Sequence, residues 1–124
     1  MNLNQVTIDA HDLAASVAFY QLLGLNLIVD TDHYARFECP NGEATFSLHK
    51  VDAKPPANGN VIYFETDKLD EEYQRLSAAG VEFTQSPKDE RWLWREARLF
   101  DPSGNHICLF WGGENRKNPP WRVN

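Results

Sequence analysis

The sequence predicts an α+β protein built from two tandem βαβββ modules. Stretches in which alternate residues are apolar are interrupted twice, each time by a single stretch of helical spacing. The order strand, helix, three strands is completed once before residue 52 and begins again at residue 60. Residues of matching type also recur 56 positions apart: Gly24 with Gly80, Asp9 with Glu65, Leu13 with Leu69, Leu25 with Val81 and Leu27 with Phe83. A constant offset spanning both a strand and a helix is the mark of an internal repeat.

Val6, Ile8 and Ala10 alternate with Gln5, Thr7 and Asp9, the pattern of a strand with one apolar face. Asp12 is a suitable N-cap, and Leu13, Val17, Tyr20 and Leu23 follow at helical spacing until Gly24, so a helix is expected over residues 12–23. Strands are expected at 25–29, 33–39 and 44–49, separated by Asp30-Thr31-Asp32 and Pro40-Asn41-Gly42. Residues 52–59, with Pro55-Pro56 and Asn58-Gly59, read as a linker. The pattern then restarts. Residues 61–66 read as a strand, and Leu69, Tyr73 and Leu76 form a helical stripe ending near Gly80. Strands follow at 81–83, 93–100 and 106–111, the last two joined by the turn Asp101-Pro102-Ser103-Gly104. One domain over 1–124 is expected, with modules at about 4–51 and 60–111 and an extended C-terminal tail at 112–124.

The chain's 124 residues are 42% hydrophobic and 12% aromatic, enough for one packed core and too apolar for disorder. A net charge of -6 repels phosphate backbones, which argues against nucleic acid and for cationic or neutral ligands. Cys39 and Cys108 form no CxxC, so free thiols in a reducing, cytoplasmic compartment are expected. No apolar run approaches the roughly 18 residues of a membrane span, and no export signal is visible. One βαβββ unit leaves a sheet face uncovered, so units are expected to pair, and a homodimer is the expected assembly.

The residues Asp12-Leu13, Ser16, Phe19-Tyr20 and Leu23-Gly24-Leu25, then Val61-Ile62-Tyr63-Phe64-Glu65, Leu69-Asp70, Leu76 and Gly80, resemble the vicinal oxygen chelate superfamily. Asp101-Pro102-Ser103-Gly104-Asn105 is similar to the turn in that family's second module, and the resemblance spans about residues 4–111. It implies a cupped mixed sheet with helices on the convex side. The superfamily includes glyoxalase I, extradiol dioxygenases, fosfomycin-resistance transferases and bleomycin-resistance proteins, so the resemblance implies a fold more narrowly than a reaction. Most of its enzymes hold a divalent metal on four inward-facing side chains, and those positions carry over to Gln5, Ser47, Val61 and Cys108. Gln is used at the first position by some glyoxalases. Val61 has no donor atom, Ser47 is a poor neutral ligand and the usual carboxylates are missing, so no resident metal or other cofactor is expected. A displaced divalent site would draw on His49, Glu65, His106 and Cys108.

Strand alternation collects Gln5, Thr7, Asp9, Thr45, Ser47 and His49 from the first module, and Val61, Tyr63, Glu65, His106, Cys108 and Phe110 from the second, on a ligand-facing surface. Asp9 and Glu65, at equivalent positions, either attract a cationic ligand or pair with Arg36, Arg95 or Arg98. Trp92 and Trp94 share one face of their segment and are expected to edge a pocket and stack on a flat ligand. The first reading is therefore a metal-independent binder of an aromatic or cationic small molecule, resembling the bleomycin-resistance branch. One alternative is a glyoxalase- or dioxygenase-like enzyme with an atypical metal site or acid–base chemistry at His49, Glu65 and Tyr63. Another is a degenerate fold kept for protein contacts.

Overall fold

Alternation from Gln5 onward produces β1 (Gln5–Ala10), and Asp12 then caps α1 (Leu13–Leu23), its carboxylate accepting from the Ala15 N–H at 3.0 Å. The computed structural model describes residues 1–123. After α1 come β2 (Asn26–Asp30), β3 (Tyr34–Glu38) and β4 (Thr45–Lys50), completing the first βαβββ run. The second comprises β5 (Val61–Glu65), α2 (Leu69–Ala78), β6 (Phe83–Asp89), β7 (Arg95–Phe100) and β8 (His106–Trp111). The chain divides into two compact units. The first is Met1–Gly59 with the turn Asp101–Asn105, and the second is Asn60–Phe100 with the chain from His106 on.

Each unit has its own four-stranded mixed sheet, ordered β1-β4-β3-β2 in the first and β5-β8-β7-β6 in the second. In both, the pair nearest the module's start is parallel (β1 with β4, β5 with β8) and the others are antiparallel. The first core joins Tyr20, Phe37, Phe46 and Leu48, the Tyr20 and Phe46 rings lying 4.6 Å apart. The second gathers Leu76, Ala97, Leu99, Ile107 and Leu109.

Both helices end the same way, which is the structural content of the Gly24/Gly80 repeat. The Gly24 N–H bonds the Gln21 carbonyl and the Leu25 N–H the Tyr20 carbonyl; Gly80 and Val81 repeat this on Ser77 and Leu76. Gly24 lies at φ 110 and Gly80 at φ 95, and an added Cβ at either would meet no atom within 4 Å. Gly24→Ala and Gly80→Ala are therefore each expected to cost about 1–2 kcal/mol from backbone conformation alone, read as a shift in urea midpoint without change in slope.

Two expectations need correction. β6 spans Phe83–Asp89, whereas the sequence suggests strand only at 81–83 before the one at 93–100. Pro87 and two register shifts hide the period, and both are tolerated because β6 is the edge of its sheet. The tail is not simply extended: α3 (Glu114–Lys117) makes one helical turn, and the Arg122 N–H closes a turn on the Pro119 carbonyl. Asn124 lies outside the described residues.

The turn Asp101-Pro102-Ser103-Gly104-Asn105 acts as a clamp in the first unit. Asp101, 5% exposed, accepts from the Tyr20 hydroxyl at 2.6 Å and from the Ser103 N–H, Asn105 N–H and Asn105 Nδ2, each at 2.9 Å. Ser103 Oγ accepts the His11 N–H at 3.0 Å and lies 2.9 Å from its Nδ1, and Asn105 Nδ2 also donates to the Asp9 carbonyl. His11 is thus tied into this clamp.

Candidate functional site

On the first sheet, register places Gln5 beside Thr45, Thr7 beside Ser47 and Asp9 beside His49, the face alternation predicts. Ser47 is nevertheless fully buried there, because neighbouring polar side chains cover it. Gln5 Nε2 donates to Ser47 Oγ at 2.7 Å and to Thr7 Oγ1 at 3.1 Å, Thr45 Oγ1 donates to Gln5 Oε1, and Tyr34 OH shares a 2.6 Å hydrogen bond with Ser47 Oγ. Arg36 Nε donates to Tyr34 OH at 2.9 Å. The phenol of Tyr34 is held below its ordinary pKa, first by the Ser47 hydrogen bond and then by Arg36. His49 stands apart from this network, its Nδ1 3.8 Å from Asp9 on an exposed edge. With Ser47 engaged by Gln5 and Tyr34, no Ser47–His49 nucleophile pair is assembled.

On the second sheet, Val61 pairs with His106, Tyr63 with Cys108 and Glu65 with Phe110, while Cys108 and Phe110 face Arg98 and Glu96 of β7. Tyr63, Trp94 and Phe110 build an aromatic platform. Trp94 stacks on Phe110 with centroids 4.7 Å apart, and Tyr63 meets both rings edge-on at 5.9 and 5.4 Å. Beside it lies Glu96, 1% exposed, with Oε1 2.6 Å from Arg98 Nη2 and Oε2 accepting the Trp92 indole N–H at 2.8 Å. Gln85 Nε2 donates to the Glu96 carbonyl at 3.2 Å. His106 is held below its ordinary pKa by burial and then by the Arg98 charge.

The acids and tryptophans named from sequence have other work. Glu65 Oε2 accepts the Gly112 and Gly113 N–H groups, both at 3.0 Å, and Oε1 lies 3.5 Å from Arg116, so this carboxylate holds the start of α3. Of the expected arginine partners, Arg95 binds Asp70 and Asp89, Arg98 binds Glu96 and Arg36 binds Tyr34. Trp92 and Trp94 have different surroundings. Leu93 between them sits at φ 70, which sends Trp94 onto the platform and Trp92 into a cleft of about 340 Å³ with Arg91 and Trp121. A second cleft, about 750 Å³, lies by the start of α1 and is lined by His11, Asp12, Asp30, Asp32 and Lys50 among others, none of them a site residue named from sequence.

The four positions that the resemblance equates with metal ligands do not suit a divalent cation. Gln5 and Ser47 are spent on each other, Val61 offers no donor atom, and Cys108 is fully buried. Burial first, then the neighbouring Glu96, push the Cys108 thiol up to about 12 and hold it protonated, whereas metal ligation requires the thiolate. No group of three or more His, Cys, Asp and Glu among the described residues is arranged to hold a metal ion. The raised thiol also sets a pH dependence. The folded chain keeps this proton above pH 9, where an unfolded thiol releases it, so the contribution is intact below about pH 9 and is lost toward 12. Stability should fall by about 1.4 kcal/mol per pH unit across that window from this group, and Cys108→Ala should remove that slope in urea titrations at pH 8.5–11.

Tyr34, Gln85 and Glu96 are not singled out by the sequence reading. The signal available for two of them is alternation: Tyr34 and Arg36 alternate with buried Ala35 and Phe37, and Glu96 and Arg98 with buried Ala97 and Leu99. No described helix is long and apolar enough to cross a membrane.

The family model described as Glyoxalase/Bleomycin resistance protein/Dioxygenase superfamily matches residues 2–109. A glyoxalase/bleomycin resistance protein/dioxygenase from Nocardioides is similar at 26% identity, over 100% of this chain and 90% of its own, with a TM-score of 0.77. A lactoylglutathione lyase from Agrobacterium tumefaciens shares 20% identity over 90% of this chain and 93% of its own, with a TM-score of 0.75. A bleomycin-binding protein complexed with bleomycin shares 20% over 91% and 99%, with a TM-score of 0.73. At 20% these last two likenesses show the fold alone. No curated protein matches the chain.

Proposed function

Because the chain belongs to the glyoxalase/bleomycin resistance protein/dioxygenase superfamily, we propose that it is a metal-independent small-molecule binder, which sequesters an aromatic compound as the bleomycin-binding members do and leaves it chemically unchanged. The observation that supports this most directly is the platform of Tyr63, Trp94 and Phe110 on the second sheet, beside positions whose side chains, Val61 and protonated Cys108, are unsuited to a metal. Tyr63 is 42% exposed, so the platform presents an aromatic edge to solvent. Such an edge accepts a flat ring by stacking, a contact of about 0.5–1.5 kcal/mol beyond the area buried.

The test is tryptophan fluorescence of the full chain titrated with flat aromatic compounds, bleomycin among them, with and without chelator. Saturable quenching is expected, unaffected by chelator, with the compound recovered intact by mass spectrometry. Trp94→Leu should weaken binding about tenfold, the equivalent of about 1.4 kcal/mol. Consumption of the compound, or affinity that requires a divalent metal, would overturn the reading in favour of an enzyme. Absence of saturable quenching by any compound would overturn it as well.

A further inference from the structure

Each unit places an arginine directly beside a position that the family resemblance equates with a metal ligand. Arg36 pairs with Ser47 across β3 and β4, and Arg98 pairs with Cys108 across β7 and β8. The two arginines occupy the same place in the two sheets, on the third strand of each order, the first beyond the parallel pair. Each lies near a tyrosine ring, Arg36 at 5.3 Å from the Tyr34 centroid and Arg98 at 5.8 Å from that of Tyr63.

Arg98 is the better held of the two. Its side chain is 21% exposed, and its Nη2 donates to Glu96 Oε1 at 2.6 Å and reaches Tyr63 OH at 3.5 Å. Nε and Nη1 have no hydrogen-bond partner among the described residues. Glu96 is itself fixed by Trp92 and carries no exposed surface to compete for a ligand. The buried carboxylate therefore orients the guanidinium in advance, which reduces the entropy lost when an anion docks on the remaining donors.

Resting on the reading of the platform as the binding surface, we propose that Arg98 supplies the anchoring cation of the second unit's site, and that the ligand is an aromatic carboxylate. Its ring would lie against Tyr63 and Trp94, which buried Phe110 backs, and its carboxylate would accept from the open guanidinium donors of Arg98. The overall charge of -6 does not forbid this. Beyond a Debye length of about 8 Å it is screened at physiological salt, so it slows the encounter more than it weakens the contact. The carboxylates that the sequence offers to a cation, Glu65 and Asp9, lie against Arg116 and the Gly112 and Gly113 N–H groups and against His49.

The proposal is tested with three probes of one skeleton, 2-naphthoate, 2-naphthamide and 2-naphthylmethylammonium, titrated into the full chain by tryptophan fluorescence. Naphthoate should bind at least tenfold more tightly than the amide. Arg98→Gln should reduce that preference to about unity, and Arg98→Lys should restore only part of it, since an ammonium cannot form the forked contact. Because Arg98→Gln strands the buried Glu96, the double variant E96Q/R98Q, with two neutral amides in place of the pair, reads the same preference if the single variant does not fold. Equal or tighter binding of the ammonium by the wild-type chain would overturn the proposal while leaving the platform reading intact. A naphthoate preference unchanged in a folded variant would do the same. Failure of all three probes would overturn both.

Discussion

Asp101→Ala is expected to be among the most damaging single substitutions in this chain, costing about 3–5 kcal/mol. The carboxylate is buried and accepts four hydrogen bonds, from Tyr20 OH, the Ser103 and Asn105 N–H groups and Asn105 Nδ2. Truncation removes the carboxylate that the fully buried Tyr20 phenol and two backbone N–H groups donate to. The Tyr20 hydroxyl is held far above its ordinary pKa by burial and then by Asp101, so it remains a donor at every accessible pH and cannot adapt by ionising. Tyr20→Phe keeps the ring contacts with Phe19 and Phe46 and removes a single bond, for about 1–3 kcal/mol. Exposed Pro102, between the same partners, should tolerate Ala within about 0.5 kcal/mol. Urea unfolding of the three variants checks the ranking; an Asp101→Ala loss below that of Tyr20→Phe would show that the turn is not the clamp its hydrogen bonds describe.

Glu96→Ala should cost about 3–4 kcal/mol, because it leaves the largely buried Arg98 guanidinium unpaired and takes the acceptor from the Trp92 indole. Glu96→Gln retains an acceptor and removes only the charge, so a smaller loss of about 1–2 kcal/mol is expected. A stability loss alone would fit any buried polar residue. The second readout is binding: if Glu96 positions Arg98, Glu96→Gln should weaken naphthoate several-fold while leaving naphthamide unchanged. Glu65→Gln is the comparison, since Glu65 binds backbone N–H groups at the base of α3 and should leave the naphthoate preference intact.

The repeat was readable because it rests on local chemistry. Asp12 caps α1 through its own side chain, Gly24 and Gly80 end the helices at positive φ, and β8 begins and ends where alternation places it, at His106 and Trp111. The face assignment was readable for the same reason: Gln5, Thr7 and Ser47 share a side because strand residues alternate. Prediction failed where a neighbour overrides the local pattern. Pro87 is acceptable in β6 only because that strand has a free edge, and residues 112–117 leave the extended state because the Glu65 carboxylate meets the Gly112 and Gly113 N–H groups. Leu93, between Trp92 and Trp94, adopts a positive φ that a β-preferring sequence gives no reason to expect.

What the sequence determines by itself is the α+β class, the two βαβββ modules and the inventory of side chains each sheet face presents, since periodicity, capping and turn chemistry act over a few residues. What only the tertiary structure decides is which of those side chains are already engaged. Ser47 is closed off by Gln5 and Tyr34, Glu65 by a turn 47 residues further on, and Arg98 by a Glu96 whose burial no local pattern announces. Hydrogen bonds and ion pairs are strong only over a few ångströms, and which groups come that close is fixed by strand register and turn geometry rather than by distance along the chain.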